Sequence, residues 1–237
     1  DSIDSIPDEN LQNVNGELVT ILDPNDSVGV IDRFHPKATY FSEYERFDRE
    51  VDRLKRMGKG LDYISIASPN YLHDAHIRFA LKNGSHAICE KPFVLNPYSI
   101  TSLEELEKET GKKIYPILQL RLHPTIISLK ESVGKKNEVQ LKYVTPRGKW
   151  FHYSWKGDSV KSGGIATNIG IHFFDMLLWI FGSVKNNFVE YHTNYKAGGY
   201  LELERANVNW ELSIDERDLP HDDWKAFRSI KINGEEI

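Results

Sequence analysis

Two stretches of this chain hold residue types and spacings suited to moving a proton. Ser85-His-Ala-Ile-Cys-Glu-Lys-Pro92 is an apolar, β-preferring run closed by a charged pair and a proline. That is the pattern of a buried parallel strand delivering Glu90 and Lys91 to its carboxyl end. Ligands of open α/β sheets bind at that edge, where partial desolvation lowers a lysine's pKa toward general acid/base use. A surface lysine after a strand is the alternative reading. The second stretch, Gly163-Gly-Ile-Ala-Thr-Asn-Ile-Gly-Ile-His-Phe-Phe-Asp175, sets Asn168, His172 and Asp175 at one-turn intervals that share one face of a helix. His172 could accept a substrate proton there while Asn168 or Asp175 orients it, and Gly163-Gly164 would let backbone approach a ligand. A structural helical histidine is the alternative. Neither a three-residue zinc ligand set nor a His-Glu-x-x-His spacing occurs, so no metal is expected. Asp23 is a third candidate, because a carboxylate ending the second strand of a dinucleotide-binding fold holds the adenosine ribose. An Asx turn before Pro24 is the other use of such an acid.

These residues need elements to hold them. Leu18-Val-Thr-Ile-Leu22 reads as a strand, and Phe47, Val51, Leu54 and Met57 mark an amphipathic helix over residues 44–57 that closes near Gly58 and Gly60. Asp62-Tyr-Ile-Ser-Ile-Ala67 reads as the next strand, running through a tight turn at Ser68-Pro69-Asn70 into a helix that Gly84 ends. Asn96-Pro97 opens a helix that Gly111 closes, and residues 114–120 form a further strand. Strict β/α alternation implies a Rossmann-like parallel sheet with helices on both faces. After His123 the pattern changes. Residues 126–133 read as a helix, and residues 139–144, 187–192, 200–203, 206–214 and 228–232 alternate with period two. A single helix over residues 169–181, stopped by Gly182, interrupts them. We expect α/β architecture in two domains, a dinucleotide-binding domain over 1–120 and an α+β domain with a large, mostly antiparallel open sheet over 121–237. Asn233-Gly234 is a hairpin-type turn with too little chain after it for a return strand. Tyr195-Lys196 with Gly198-Gly199 reads as a loop.

Composition narrows the functional class. The 237 residues suffice for two ordinary cores, and a net charge of −5 argues against non-specific nucleic-acid binding. Cys89 is the only cysteine, so no intrachain disulfide is possible, which fits a reducing, cytoplasmic setting and a buried thiol. No apolar run approaches a membrane span, and no signal-peptide pattern opens the chain. Residues 1–15 read as a polar, poorly ordered lead.

The Glu90-Lys91-Pro92 strand end and the Gly-Gly-x-x-x-Asn-x-Gly-x-His stretch resemble the two signatures of the Gfo/Idh/MocA oxidoreductase family, and Ser65-Ile-Ala-Ser-Pro-Asn-Tyr-Leu-His73 resembles its strand-four turn. More narrowly, Asn25-Asp-Ser-Val-Gly29, Leu118-Gln-Leu-Arg-Leu-His123, Arg147-Gly148, Ser154-Trp-Lys-Gly-Asp158 and Ala166-Thr-Asn-Ile-Gly170 resemble the WlbA/WbpB branch of UDP-N-acetyl-D-glucosaminuronate 3-dehydrogenases, enzymes of surface-polysaccharide biosynthesis. The resemblance runs from about residue 17 to the end.

That resemblance implies NAD as cofactor and oxidation of the C3 hydroxyl of a UDP-linked sugar acid, with 2-oxoglutarate as a recycling oxidant. Lys91 and His172 would stand at the reacting carbon. Asp23 would hold the ribose, and Ser68, Pro69, Asn70, His73, Glu90 and Pro92 would line the cofactor cleft. Asn168 stands where many relatives carry Asp; it would bond substrate hydroxyls and raise the His172 pKa less than a carboxylate would. Arg121, Arg147, Lys156 and Lys161 are the cations for the diphosphate and carboxylate, with Gln119 as a polar contact. A homo-oligomer joined through the alternating sheet is implied as well. The family's first strand and Gly-rich turn have no counterpart in this sequence, and relatives run on beyond its end, so a partial dehydrogenase is expected. A dehydrogenase of free sugars or inositol and a non-catalytic binding or assembly member are the alternative readings.

Overall fold

The computed structural model describes residues 16–25, 28–221 and 223–237. The expected lead over residues 1–15 and part of the Asn25–Gly29 motif lie outside the described residues. The chain divides into two compact units, residues 1–62 with 83–85, and residues 63–82 with 86–237.

In the smaller unit, β1 (Thr20–Leu22) pairs in parallel with β2 (Thr39–Phe41), the register running from Thr20 opposite Thr39 to Leu22 opposite Phe41. A helix over Tyr44–Arg56 buries the Phe47, Val51 and Leu54 stripe its spacing implied, and Gly58 follows at φ 70°. The Phe47 ring meets Phe41 edge-on at 6.4 Å.

The larger unit opens with a parallel sheet ordered β3 (Tyr63–Ile66), β4 (His86–Cys89), β5 (Ile114–Pro116). One face packs on the helices His73–Lys82 and Tyr98–Thr110 around Ile66, Ile77, Leu81, Ala87 and Leu103. The reading put helices on both faces. Within this unit the other face carries Tyr63, His86 and Tyr115, with successive ring centroids 5.2 and 6.0 Å apart and the tyrosines about half exposed. Cys89 lies buried on the packed side, where burial first and Glu90 second push its thiol to about 12.

After a helix over Pro124–Ser132, the second sheet runs β11 (Glu235–Glu236), β10 (Phe227–Ile232), β6 (Asn137–Val144), β9 (Ala206–Ser213), β8 (Lys196–Leu203), β7 (Val184–His192). Only the β6–β9 pair is parallel among these ladders. A parallel pair needs a long crossover, and the segment between β6 and β9 supplies it, including the helix Ile171–Phe181. That helix lays Met176, Leu177, Ile180 and Phe181 on the inward residues of the sheet, among them Val139, Leu141, Val208 and Leu212.

Three local expectations are corrected. Asn233 and Gly234 adopt φ 51° and 90°, the handedness a tight two-residue hairpin requires, so Glu235 and Glu236 do pair back on β10. Gly198 and Gly199 lie inside β8 rather than in a loop, because the missing side chain admits the Tyr191 ring and the β7 backbone. The helix expected over residues 169–181 is present as Ile171–Phe181, but Asn168 does not share it with His172 and Asp175. Gly170 N–H reaches back to Ile165 O at 3.2 Å, closing the short helix Gly164–Asn168, and the chain turns by 42° into Ile171–Phe181. No single helix among the described residues is long and apolar enough to cross a membrane.

Candidate active site

A cleft opens at the carboxyl ends of β3 and β4, as the strand-end reading implies. Its floor is Ala67, Ser68, Asn70, Glu90 and Lys91, and Asn168 and His172 face them from the glycine-rich segment. Within this one unit the structure therefore brings together both proton-moving candidates.

Lys91 reaches across 77 positions of sequence to donate from Nζ to the carbonyl of Asn168 at 2.7 Å. Asn168 ends its helix, so that carbonyl is one of the orphan acceptors every helix end leaves. Burial, above all, holds the Lys91 pKa below the ordinary lysine value; Glu90 opposes this, and Lys156 and Arg147 add to it. Burial is likewise the largest cause lowering the His172 pKa, with Lys91 next and Glu90 and Asp175 pulling the other way. The sequence reading had His172 raised slightly. The reversal comes from desolvation and from the neighbouring Lys91. His172 Nδ1 is buried with no hydrogen-bond partner among the described residues, so it presents an unsatisfied polar atom.

Asp175 does not orient His172. Arg121 grips it with two parallel hydrogen bonds, Nε to Oδ2 at 2.6 Å and a guanidinium NH2 to Oδ1. Arg121, expected as a substrate cation, is here the partner of a buried carboxylate, and it lies with Gln119 in a separate hollow beside Pro116 and Leu122. Lys161 Nζ pairs with Asp158 at 3.7 Å and lies outside the cleft lining. Arg147 and Lys156 line the cleft, and neither forms an ion pair among the described residues.

The turn after β3 is tied down. Asn70 donates its amide to Ser162 O at 2.8 Å and to Asn168 Oδ1 at 3.2 Å. His73 lies at the cleft floor, but its two ring nitrogens face Pro92 O and Ser68 O, each at 2.7 Å. It braces the two turns that border the cleft. Pro69 and Pro92 shape the two turns and are absent from the lining. Asp23, in the smaller unit, forms the Asx turn, its Oδ1 accepting from Asn25 N at 2.8 Å and Nδ2 at 3.1 Å.

Gly163 and Gly164 both hold positive φ, 84° and 75°. A Cβ on Gly163 would sit 2.8 Å from Thr167 Cγ2 and 2.9 Å from Leu95 Cδ2, so only glycine fits.

The residue reading missed the aromatic wall. Tyr143, Trp150, Phe151 and Trp155 complete the cleft, with Lys156 Nζ 5.4 Å and 5.7 Å from the Trp150 and Trp155 rings. They lie at the end of β6 and on short helices after it, where no hydrophobic period marks them; the density of aromatics beside Lys156 was the available signal.

Polar groups at the carboxyl ends of adjacent parallel strands, with a carboxylate and an amine among them, form a donor set that fits the nicotinamide half of a dinucleotide. No group of three or more potential metal ligands occurs among the described residues.

Comparison with known proteins agrees. Residues 9–117 match the Gfo/Idh/MocA profile described as an oxidoreductase family with an NAD-binding Rossmann fold, and residues 130–213 match its C-terminal alpha/beta domain. The crystal structure of the WlbA (WbpB) dehydrogenase from Thermus thermophilus with NAD and alpha-ketoglutarate shares 47% identity and a TM-score of 0.92, over 97% of this chain and 76% of that one. The same enzyme with NAD and UDP-GlcNAcA gives 47% identity and a TM-score of 0.91, over 97% and 77%. D-glucoside 3-dehydrogenase of Escherichia coli K12 is 26% identical over 166 residues, 65% of this chain and 47% of that protein. The chain spans about half or less of the length of the curated relatives it matches.

Proposed function

From the premise that the chain belongs to the Gfo/Idh/MocA oxidoreductase family, we propose that it serves an NAD-dependent dehydrogenase acting on the C3 hydroxyl of a UDP-linked N-acetyl-aminosugar uronic acid. The observation that carries this reading is the pairing, in one cleft, of a desolvated lysine with two cations that have no acidic partner among the described residues. Lys91 has its pKa lowered mainly by burial, so a larger share of it is the neutral amine able to take a hydroxyl proton. Arg147 and Lys156 line the same cleft, and a diphosphate or sugar carboxylate is the kind of anion they match. Trp150 and Trp155 offer flat rings beside Lys156 for a nucleobase.

NAD, when bound, supplies the hydride acceptor for the carbinol carbon. Ser68, Asn70 and Glu90 would hold its nicotinamide end. The Asn168 carbonyl fixes Lys91 Nζ, leaving the amine positioned for the substrate hydroxyl. His172 lines the same cleft and is kept neutral by its lowered pKa, so its ring is suited to a hydrogen bond with the same hydroxyl or its neighbour. Asn168, neutral, can donate and accept toward sugar hydroxyls without adding a charge.

The sugar-nucleotide complex of the 47%-identical Thermus enzyme favours this substrate, and the 3-dehydrogenase named among the curated relatives favours the C3 position. The alpha-ketoglutarate in the other Thermus complex makes 2-oxoglutarate the suggested terminal oxidant. The test incubates the full-length protein with UDP-GlcNAcA, NAD and 2-oxoglutarate and follows 2-hydroxyglutarate and the 3-keto sugar nucleotide. Turnover with UDP-GlcNAcA and none with simple glucosides supports the proposal; the reverse preference would sink it.

A further inference from the structure

His73 opens the helix His73–Lys82 and has no exposed surface. Each of its ring nitrogens lies 2.7 Å from a main-chain carbonyl oxygen, Nδ1 from Pro92 and Nε2 from Ser68. Carbonyl oxygens only accept, and a neutral imidazole carries a single N–H. In either neutral tautomer one nitrogen lone pair would therefore face an oxygen lone pair at hydrogen-bonding distance. The imidazolium instead donates to both. Two short, charge-assisted bonds are the stronger kind, and they offset part of the cost of burying a cation.

We propose that His73 is a buried imidazolium acting as the positioning residue of this site, a cross-brace that locks the turn after β3 to the turn after β4. Pro92 directly follows Lys91, so the bond to its carbonyl fixes the backbone from which the Lys91 side chain leaves. Ser68 opens the turn that carries Asn70, which in turn holds Ser162 O and Asn168 Oδ1. Lys91 Nζ closes the circuit on Asn168 O. His73 thus sits at the corner where three segments distant in sequence are triangulated. His76, one turn along the same helix, meets Ser68 Oγ through Nδ1 at 2.9 Å; its pKa is lowered by burial first and by His73 second, so a charge on His73 leaves His76 neutral.

The decisive measurement is nitrogen-15 NMR of the histidine rings in the full-length protein at neutral pH, with His73 assigned through its own backbone so that no variant is needed. The expected spectrum shows a directly bonded proton on both ring nitrogens of His73. One bare nitrogen would overturn the imidazolium. This arm needs neither substrate nor turnover, so it stands apart from the reaction proposed above. The second arm is His73→Gln, which offers a donor at only one end. Misplacement of a reacting group by about 1 Å costs on the order of a hundredfold in rate. We expect kcat to fall by about ten- to a hundredfold with KM for the sugar changed less than about threefold. An unchanged kcat would overturn the positioning role. If His73→Gln does not fold, His73→Asn and the wild-type spectrum carry the test.

Discussion

Replacing Arg121 with Ala separates two roles for that residue. If it is a substrate cation, binding suffers and the fold does not; if it holds Asp175, the reverse follows. Stripping one partner from a fully buried ion pair costs about 3–5 kcal/mol because the other charge is left buried alone. An exposed pair contributes about 0–1 kcal/mol. Here the Asp175 side chain is 9% exposed and the Arg121 side chain 40%, so the carboxylate is the stranded partner and water screens only the guanidinium end. We expect Arg121→Ala to cost about 2–3 kcal/mol, and Asp175→Asn less, because the arginine it frees can reach solvent. At about 2–4 °C per kcal/mol for a unit of this size, Tm should drop by roughly 4–12 °C. Tryptophan fluorescence is the right probe, since all 5 tryptophans, Trp150, Trp155, Trp179, Trp210 and Trp224, belong to the unit that holds the pair. A double-mutant cycle with Asp175→Asn should return most of the loss as coupling energy. A denaturation midpoint unmoved by Arg121→Ala, together with a raised KM, would refute the reasoning and restore the substrate-cation role.

Lys91→Ala should cut turnover by about a hundredfold or more, as loss of a general base does. The wild-type rate should rise with pH as Lys91 loses its proton, with a midpoint below the ordinary lysine value. Glu90 raises that pKa and Lys156 lowers it, so in pH–rate profiles Glu90→Gln should move the limb to lower pH and Lys156→Gln to higher pH; shifts of the opposite sign would dismiss Lys91 as its source. Gly163→Ala should destabilise by about 1–3 kcal/mol, from the positive φ and the Cβ contacts with Thr167 and Leu95, which urea titration reads directly. On β7, Phe188 and Val189 are 63% and 52% exposed. If the sheet joins copies of the chain, Phe188→Glu should dissociate the oligomer in sedimentation, and a wild-type monomer at micromolar concentration would exclude that assembly.

Elements whose chemistry is local were legible. The Ser85–Pro92 run reads as a strand because its own composition carries the signal, although its ladder partners Tyr63–Ile66 and Ile114–Pro116 are remote in sequence, and the helix Tyr98–Thr110 ends where Gly111 takes φ 67°. The period-two stretches announced the second sheet for the same reason. What escaped depends on contacts across long separations. Nothing near Arg121 announces Asp175, 54 positions on. The two carbonyls on His73 come from turns before and after it, so the ring looked like one more polar cleft residue. The separation of Asn168 from the helix of His172 and Asp175 was hidden because their spacing suits one helix, and only the backbone bonds to Ile165 O close the first helix before Gly170. Trp150 and Trp155 sit on helical turns too short for a hydrophobic period to mark them.

The break at Gly170 also has a chemical consequence. A continuous helix from residue 164 to 181 would spend the Asn168 carbonyl on the amide four residues on, which is His172's own N–H. Ending the first helix at Asn168 leaves that carbonyl for Lys91 Nζ instead, while His172 begins a new helix one turn away and meets Lys91 as a neighbouring charge. The two bases are then coupled through a single short segment. When Lys91 takes a proton, its charge lowers the proton affinity of His172 further. If Lys91 accepts the substrate proton as proposed, the added charge works against protonation of His172. Asp175, the anion nearest in sequence that opposes this, is engaged by Arg121. Replacing Asn168 with Asp would place a carboxylate beside both bases and raise both pKa values. Its expected signature is a rate limb displaced to higher pH, with the fold unchanged by tryptophan fluorescence.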